Sequence, residues 1–228
     1  MPFNPREIST NFGLQPFITY HLKKAKQLLV TKPENSLTAA ELANLALIYL
    51  EICNWNKVKK YADLIFSAEE AKESTSNEHK AIAFYALGVR KHEENHYEQA
   101  FQLFNQSEVL AESDWLKSHL LKNTGLVYLK LQNFTAATAT FETAYLFTKD
   151  AAMDEPELNN LLPVLFDYIV FSSAQETLAS DNPSKLIRDL SLFKKSNILY
   201  TDSFNKKKIA LEDWRKSHAY ILHCIHLS

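Results

Sequence analysis

The segment whose residue types most suggest catalysis is His92-Glu93-Glu94-Asn95-His96, which fits the pattern H-E-x-x-H. A zinc site built from this pattern needs one continuous helix, so that both imidazoles face one metal ion and the glutamate activates its water. Here the segment falls at the short polar turn between two predicted amphipathic helices, so the helix would have to stop between the two histidines. We therefore interpret the segment as a solvated turn rather than as a zinc site.

A second group of potential metal ligands lies near the C-terminus, where His218, His223, Cys224 and His226 occur. On a helix His223 and His226 would be neighbours, but the other two side chains would point partly away. We interpret all four as unrelated residues of a terminal helix. The 3 glycines cannot build a phosphate-binding loop, and no nucleophile-elbow pattern is present. The sequence predicts no catalytic residue, no metal and no cofactor, and hence a protein that is not an enzyme.

Composition narrows the class of protein further. Of the 228 residues 46% are hydrophobic, and only 3 Gly and 7 Pro are present, which argues against disorder and against a sheet-rich fold. A formal net charge of −2 argues against a protein that mainly binds nucleic acid. The two cysteines, Cys53 and Cys224, suit a reducing compartment, and we expect Cys53 to be small and buried.

The N-terminus and the apolar runs of the chain bear on its location in the cell. The start MPFNPREIST shows no positive region followed by an apolar stretch. No run of 18 or more apolar residues occurs, as a membrane span would require. We expect a cytoplasmic protein that does not cross a membrane, with an effector exported by another signal as the alternative.

The elements that position these residues are best defined between Ala83 and Leu110, where the pattern predicts two amphipathic helices joined by a short polar turn. Gly88 falls within the first helix, where glycine is less stable than alanine by about 1 kcal/mol. Such a glycine indicates that a neighbouring helix lies too close for a side chain. The same pattern recurs upstream around Ala46 and downstream around Gly125, so the chain contains internal repeats.

This spacing resembles the tetratricopeptide repeat (TPR), in which small residues at the eighth and twentieth positions let two helices cross closely. The resemblance implies an all-α fold, a TPR-like alpha-alpha superhelix, which is a solenoid of antiparallel helix pairs with terminal capping helices. The residues that carry it are Leu45, Ala46, Tyr49, Trp55, Val58, Ala62 and Ile65 in the first copy, Leu87, Gly88, Tyr97, Ala100, Phe104 and Ser107 in the second, and Thr124, Gly125, Tyr128, Phe134, Ala137, Phe141 and Ala144 in the third.

Three segments are expected on this basis. Residues 1–35 form an N-terminal arm and capping helix, residues 36–150 form three TPR-like repeats, and residues 151–228 form a degraded fourth repeat and C-terminal capping helices. In the last segment we expect one apolar helix from Leu158 to Leu178, kinked at Pro163. From Asn182 onward the chain has nine Lys or Arg against four Asp or Glu, which we interpret as a solvated helix start rather than as a binding patch.

The family's concave surface is lined by side chains of the first helix of each repeat, so the resemblance implies a partner-binding face on these helices. Tyr85 would be its large amphipathic anchor, and Lys122 with Asn123 resembles part of a carboxylate clamp. The alternative for each apolar member is that it packs against a neighbouring helix. The implied partner-binding residues are Leu47, Glu51, Ile82, Tyr85, Val89, His119, Lys122, Asn123, Leu126 and Lys130.

The resulting hypothesis is a non-catalytic adaptor or scaffold that binds a peptide or a partner-protein segment in its concave groove. The spacings from Ala46 to Gly88 and from Gly88 to Gly125 are 42 and 37 residues, against roughly 34 in the family. Such stretched repeats resemble those of bacterial peptide-sensing regulators of the Rap, Rgg and PlcR-like groups. A regulatory module that senses a signalling peptide is therefore one alternative, and a zinc hydrolase that uses His92 and His96 is the other.

Overall fold

The computed structural model describes residues 36–70 and 76–180, together with the single helical positions Lys23 and Gln27. Within residues 36–70 and 76–180 the chain forms seven α-helices, one short 3-10 helix and no strand, so the all-α expectation is confirmed for this part. The elements are α1 (Ala39–Glu51), α2 (Trp55–Glu70), α3 (Asn77–Glu93), α4 (Tyr97–Leu110), α5 (Asp114–Lys130), α6 (Phe134–Ala151), the 3-10 helix Pro156–Asn160 and α7 (Leu162–Ser180).

Several expectations fall on residues that lie outside these ranges. They are the arm and the remainder of the first helix within residues 1–35, and the C-terminal capping helices with the basic region after Asn182. The histidine and cysteine group at residues 218–226 lies there as well.

Neighbouring helices pack in pairs, which we call pair one (α1 and α2), pair two (α3 and α4) and pair three (α5 and α6). The chain divides into two compact units between Ser113 and Asp114. The first unit contains pairs one and two, and α3 also packs against both helices of pair one. The second unit contains pair three and α7, which packs against α6.

The core of the first unit is built from small residues and aromatic rings. At the start of α1 the side chains of Thr38 and Glu41 form a capping box. Tyr49 of α1 stacks on Tyr61 of α2 with ring centroids 5.5 Å apart. The residues of pair one that are entirely buried are Leu45, Ala46, Val58, Tyr61, Ala62 and Ile65.

Pair two contains the close helix crossing that the sequence predicts at Gly88. A Cβ atom added to this glycine would come within 2.5 Å of the ring of Phe104 on α4. No side chain fits in that space, because Phe104 is itself 1% exposed. In the same pair the buried hydroxyl of Ser107 donates a hydrogen bond of 2.6 Å to the carbonyl oxygen of Ala81.

The second unit repeats this crossing. A Cβ atom at Gly125 would lie 2.5 Å from the ring of Phe141 on α6. The ring of Phe141 also stacks on Tyr168 of α7, with ring centroids 5.0 Å apart. The buried core around this contact consists of Ala137, Phe141, Ala144, Leu161, Leu165 and Ile169.

The turns within the three pairs have one geometry. Cys53, Asn95 and Gln132 have φ values of 58°, 63° and 59°, in the left-handed region. The N–H of the residue after each donates a 2.9 Å hydrogen bond to the carbonyl five positions earlier, which is the Schellman arrangement of a helix end. Cys53 is exposed at its turn, so the expectation that it is buried was wrong. The left-handed residue at the tip of a turn has no neighbouring helix to cover its side chain.

The chain after α6 departs from the prediction of one kinked helix. Pro156 begins the 3-10 helix, and the separate helix α7 begins at Leu162. Pro163 is thus the second residue of α7 and lies in its first turn, where the missing N–H removes no helical hydrogen bond. The predicted kink was wrong, because this proline starts a helix instead of interrupting one. None of the described helices combines the length and the apolar character needed to cross a membrane.

Candidate functional site

The H-E-x-x-H segment spans the turn of pair two. Helix α3 ends at Glu93, Asn95 adopts a φ of 63°, and α4 begins directly after His96. This confirms the predicted interruption of the helix. The two histidines therefore do not occupy successive turns of one helical face, which is the geometry that a zinc peptidase motif requires.

His92 is held by its immediate neighbours. Its Nδ1 atom lies 3.3 Å from a carboxylate oxygen of Glu93. Its ring meets the ring of Tyr97 nearly edge-on, with centroids 5.6 Å apart. The Nε2 atom is buried and has no hydrogen-bond partner among the described residues. This nitrogen does not face solvent, where a substrate or a metal ion would arrive.

Glu94, the second glutamate of the segment, belongs to a network of ion pairs. Its carboxylate lies 2.7 Å from Nε of Arg90, 3.0 Å from Nζ of Lys91 and 3.5 Å from Nδ1 of His96. The hydrogen bond from Lys91, helped by Arg90 and opposed by desolvation, lowers the pKa of Glu94. The segment therefore closes a helix end with paired charges. Across the described parts of the chain, no three His, Cys, Asp or Glu side chains are grouped so that they could hold a metal ion.

The predicted partner-binding residues of the first unit lie on α1 and α3. Leu47, Ile82 and Val89 are half-buried, and Glu51 is exposed. Tyr85 is only 4% exposed, and its ring lies 6.3 Å from that of Phe104. Burial therefore argues against Tyr85 as an anchor for a partner, because the ring is already used in packing α3 against α4.

The predicted residues of the second unit all lie on α5. His119, Lys122, Leu126 and Lys130 follow one another at intervals of three or four residues, so they share one face of the helix. The first three are half-buried and Lys130 is exposed. Leu126 packs against the core around Phe141. This agrees with the alternative interpretation of the apolar residues, in which they pack against a neighbouring helix. This face therefore presents one imidazole and two ammonium groups beside an apolar base.

His119 has the most defined environment on this face. Its Nδ1–H donates a 2.8 Å hydrogen bond to the carbonyl oxygen of Trp115, and the two rings stack with centroids 4.4 Å apart. Desolvation, helped by the nearby charge of Lys122 and opposed by the bond to Trp115, lowers the pKa of His119 to about 4. The imidazole is thus neutral near pH 7, and the fixed Nδ1–H tautomer leaves Nε2 as a hydrogen-bond acceptor.

Two residues of α5 differ from expectation. Asn123 is only 8% exposed, and its Nδ2 donates a 2.8 Å hydrogen bond to the carbonyl oxygen of His119. Its amide supports the helix, which argues against a role in clamping a carboxylate. Trp115, which the sequence reasoning did not select, stacks on His119 and packs against the buried cluster of Ala151, Ala152 and Leu158. The available signal was its position one helical turn before His119.

We call His119, Lys122 and Lys130, together with the supporting ring of Trp115, the α5 face. It combines a neutral hydrogen-bond acceptor, two cationic side chains and an aromatic ring. No known family model matches the chain, and no curated protein matches it.

Proposed function

We propose that this chain is a non-catalytic, TPR-like helical-repeat protein that binds a peptide or a partner-protein segment. The observation that supports this proposal best is the repeated geometry of the three helix pairs. In all three pairs the turn has a residue with left-handed φ at the equivalent position and the same Schellman hydrogen bond. In two of the pairs a glycine faces a phenylalanine ring. A helix pair repeated in this way can present its first helix as a recognition surface and needs no reactive group.

Within this proposal the α5 face is the principal contact of the second unit. Lys122 and Lys130 carry positive charge, and His119 offers Nε2 as an acceptor while its Nδ1–H stays bonded to Trp115. A matching segment would carry a carboxylate and an N–H or O–H donor a short distance apart. The helix fixes the positions of these groups in advance, so that little conformational entropy is lost on binding.

The test begins with peptides selected on the purified protein from a library of random sequences. Their affinity is then measured by calorimetry for the wild type and for Lys122→Glu, which reverses one charge of the α5 face. We expect about tenfold weaker binding, equivalent to about 1.4 kcal/mol. The matched control is Lys149→Glu on the exposed side of α6. Equal affinities for the two variants would contradict the assignment of binding to α5.

One observation favours a second candidate, the sensing of a short signalling peptide. The equivalent turn residues Cys53 and Asn95 are 42 positions apart, and Asn95 and Gln132 are 37 apart. Both spacings exceed the roughly 34 residues of the ordinary repeat, as in the peptide-sensing regulators that the sequence resembles. Thermal stabilisation by short peptides alone would favour the sensor, whereas stable retention of a large protein on the immobilised chain would favour the adaptor.

A further inference from the structure

Two helices of the first unit begin with capping boxes that differ in their acceptor. At α1 the N–H of Thr38 donates to a carboxylate oxygen of Glu41 at 2.9 Å, and the N–H of Glu41 donates to the Thr38 hydroxyl at 3.3 Å. At α3 the N–H of Ser76 donates to Nδ1 of His79 at 3.4 Å, and the N–H of His79 donates to the Ser76 hydroxyl at 3.3 Å. An imidazole thus takes the place that a glutamate or glutamine normally fills.

This replacement makes the cap dependent on the protonation of one ring. Nδ1 accepts the Ser76 N–H only while it carries a lone pair, so the closed box requires neutral His79 in its Nε2–H tautomer. Protonation would set two N–H groups against each other and would place a positive charge at the N-terminus of α3, where the helix dipole disfavours it. Imidazole changes its charge between about pH 5 and 8, whereas a carboxylate such as that of Glu41 keeps its acceptors throughout this range.

The turn that His79 caps also holds a second connection. The carboxylate of Glu78 accepts hydrogen bonds from the N–H of Glu112 at 2.6 Å, from the N–H of Ser113 at 3.3 Å and from the Ser113 hydroxyl. These bonds join the start of α3 to the two residues that precede α5. An ordered first turn of α3 is therefore needed to keep the Glu78 carboxylate in place.

Three charged residues lie around this turn. Glu78 and Lys80 flank His79 on α3, and Glu112 reaches the same turn from the segment after α4. The carboxylate of Glu78 is bonded to Glu112 and Ser113.

We propose that His79 makes the start of α3 a pH-sensitive latch. In its neutral form the ring closes the capping box and keeps Glu78 bonded to Glu112 and Ser113. In its protonated form the box opens, the first turn of α3 frays and the bonds to Glu78 weaken. The latch depends on the hydrogen-bond geometry and not on the proposed binding function.

Amide hydrogen exchange of the full chain tests this proposal directly. Protection factors, corrected for the pH dependence of intrinsic exchange, are compared at about pH 7.5 and about pH 5.5. We expect the amides of His79, Glu112 and Ser113 to lose about tenfold in protection at the lower pH, as for the loss of a helix cap. The amide of Glu41, capped by a carboxylate box, is the internal control and should keep its protection.

The variant His79→Glu restores the ordinary capping box, and His79→Gln supplies a neutral amide oxygen should the glutamate variant fail to fold. Both should keep the protection of Glu112 and Ser113 at either pH. Equal protection of the wild type at both pH values would overturn the proposal. So would the same tenfold loss in a folded His79→Glu or His79→Gln variant, because the loss would then come from other groups.

Discussion

Helix pairs two and three share a glycine crossing and a turn geometry but differ in several polar groups. Both place a glycine of the first helix against a phenylalanine of the second, with 2.5 Å between that ring and an added Cβ atom. Both turn through one left-handed residue, with φ of 63° at Asn95 and 59° at Gln132. The comparison indicates that the crossing and the turn define the helix pair, and that the remaining positions are free to carry other chemistry.

The differences show what this freedom permits. The second residue of the repeat pattern is Ile82 in pair two and His119 in pair three. In pair two Ser107 bonds to the carbonyl of Ala81, whereas pair three has Ser118 on its first helix with a buried hydroxyl that has no hydrogen-bond partner among the described residues. Pair three therefore keeps the packing of pair two while it places its polar groups elsewhere.

The largest expected effect comes from filling the shared crossing. Gly88→Ala and Gly125→Ala would each force a buried phenylalanine ring to move, and overpacking of this kind typically costs about 1–3 kcal/mol. Because the added Cβ atom would lie only 2.5 Å from the ring, we expect a cost near the upper end of this range, above the gain of about 1 kcal/mol from replacing a helical glycine with alanine. Chemical denaturation should therefore show both variants less stable than the wild type, by similar amounts.

A double variant controls for the cause of this loss. In Gly88→Ala with Phe104→Leu the smaller side chain makes room for the new methyl group, so part of the loss should be recovered relative to the sum of the single variants. A stabilising effect of Gly88→Ala alone would show that the helices of pair two do not cross as closely as described.

The next effect belongs to pair three alone. The pKa of His119 falls from 6.5 to about 4 on folding, so between these values the unfolded chain binds the proton and the folded chain does not. Stability contributed by neutral His119 is complete above about pH 6.5 and is lost as the pH falls toward 4. At about 1.4 kcal/mol per pKa unit the loss on reaching pH 4 is of order 3 kcal/mol. Urea denaturation of the wild type and of His119→Gln between pH 7 and pH 4.5 isolates this contribution, because the other titrating groups are common to both proteins. Parallel pH profiles for the two proteins would contradict the assignment.

The buried hydroxyl groups provide a smaller contrast. Ser107→Ala removes a buried hydrogen bond to the Ala81 carbonyl, which keeps its helical partner, so we expect a loss of about 1 kcal/mol. Ser118→Ala removes a hydroxyl that forms no such bond, and should be neutral or stabilising. Equal destabilisation of the two variants in thermal or urea unfolding would show that Ser118 has a partner that the structure does not reveal.

The smallest expected effect lies at the start of the second helices. Asn133 accepts a 3.2 Å hydrogen bond from the N–H of Ala136, whereas His96 forms no side-chain cap at the start of α4. Asn133→Ala should therefore cost about 1 kcal/mol, and His96→Asn should add up to about 1 kcal/mol of stability. A stability change of the same sign in both variants would contradict this difference between the caps.

Much of the helix-pair geometry could be predicted because it depends on local sequence. A glycine costs enough inside a helix that Gly88 and Gly125 indicate a close crossing, and the break between His92 and His96 follows from the apolar pattern on either side. The capping box of α1 is local in the same way, because Thr38 and Glu41 are three positions apart. In each case the interacting groups lie within one or two turns, or occupy a position that recurs in the repeat.

The candidate site could be predicted less well from the sequence, because the exposure of a side chain depends on residues that are distant in sequence. Tyr85 fits an anchor position in the repeat pattern, yet it is buried against Phe104, which lies on another helix. Asn123 fits a clamp position but bonds to the carbonyl of its own helix, and Trp115 owes its role to a cluster formed with Leu158. Sequence spacing specifies the face of a helix, whereas the side chains that remain accessible are decided by packing.

The most direct test of the central claim uses NMR to map the surface that binds the peptide. A library-selected peptide is titrated into the isotopically labelled full chain. The account predicts that the amides of His119, Lys122 and Lys130 shift on binding. The amides of Thr135 and Thr143, exposed on the second helix of the same pair, should remain unchanged. Shifts that concentrate on Thr135 and Thr143, with α5 unaffected, would contradict recognition by the first helix.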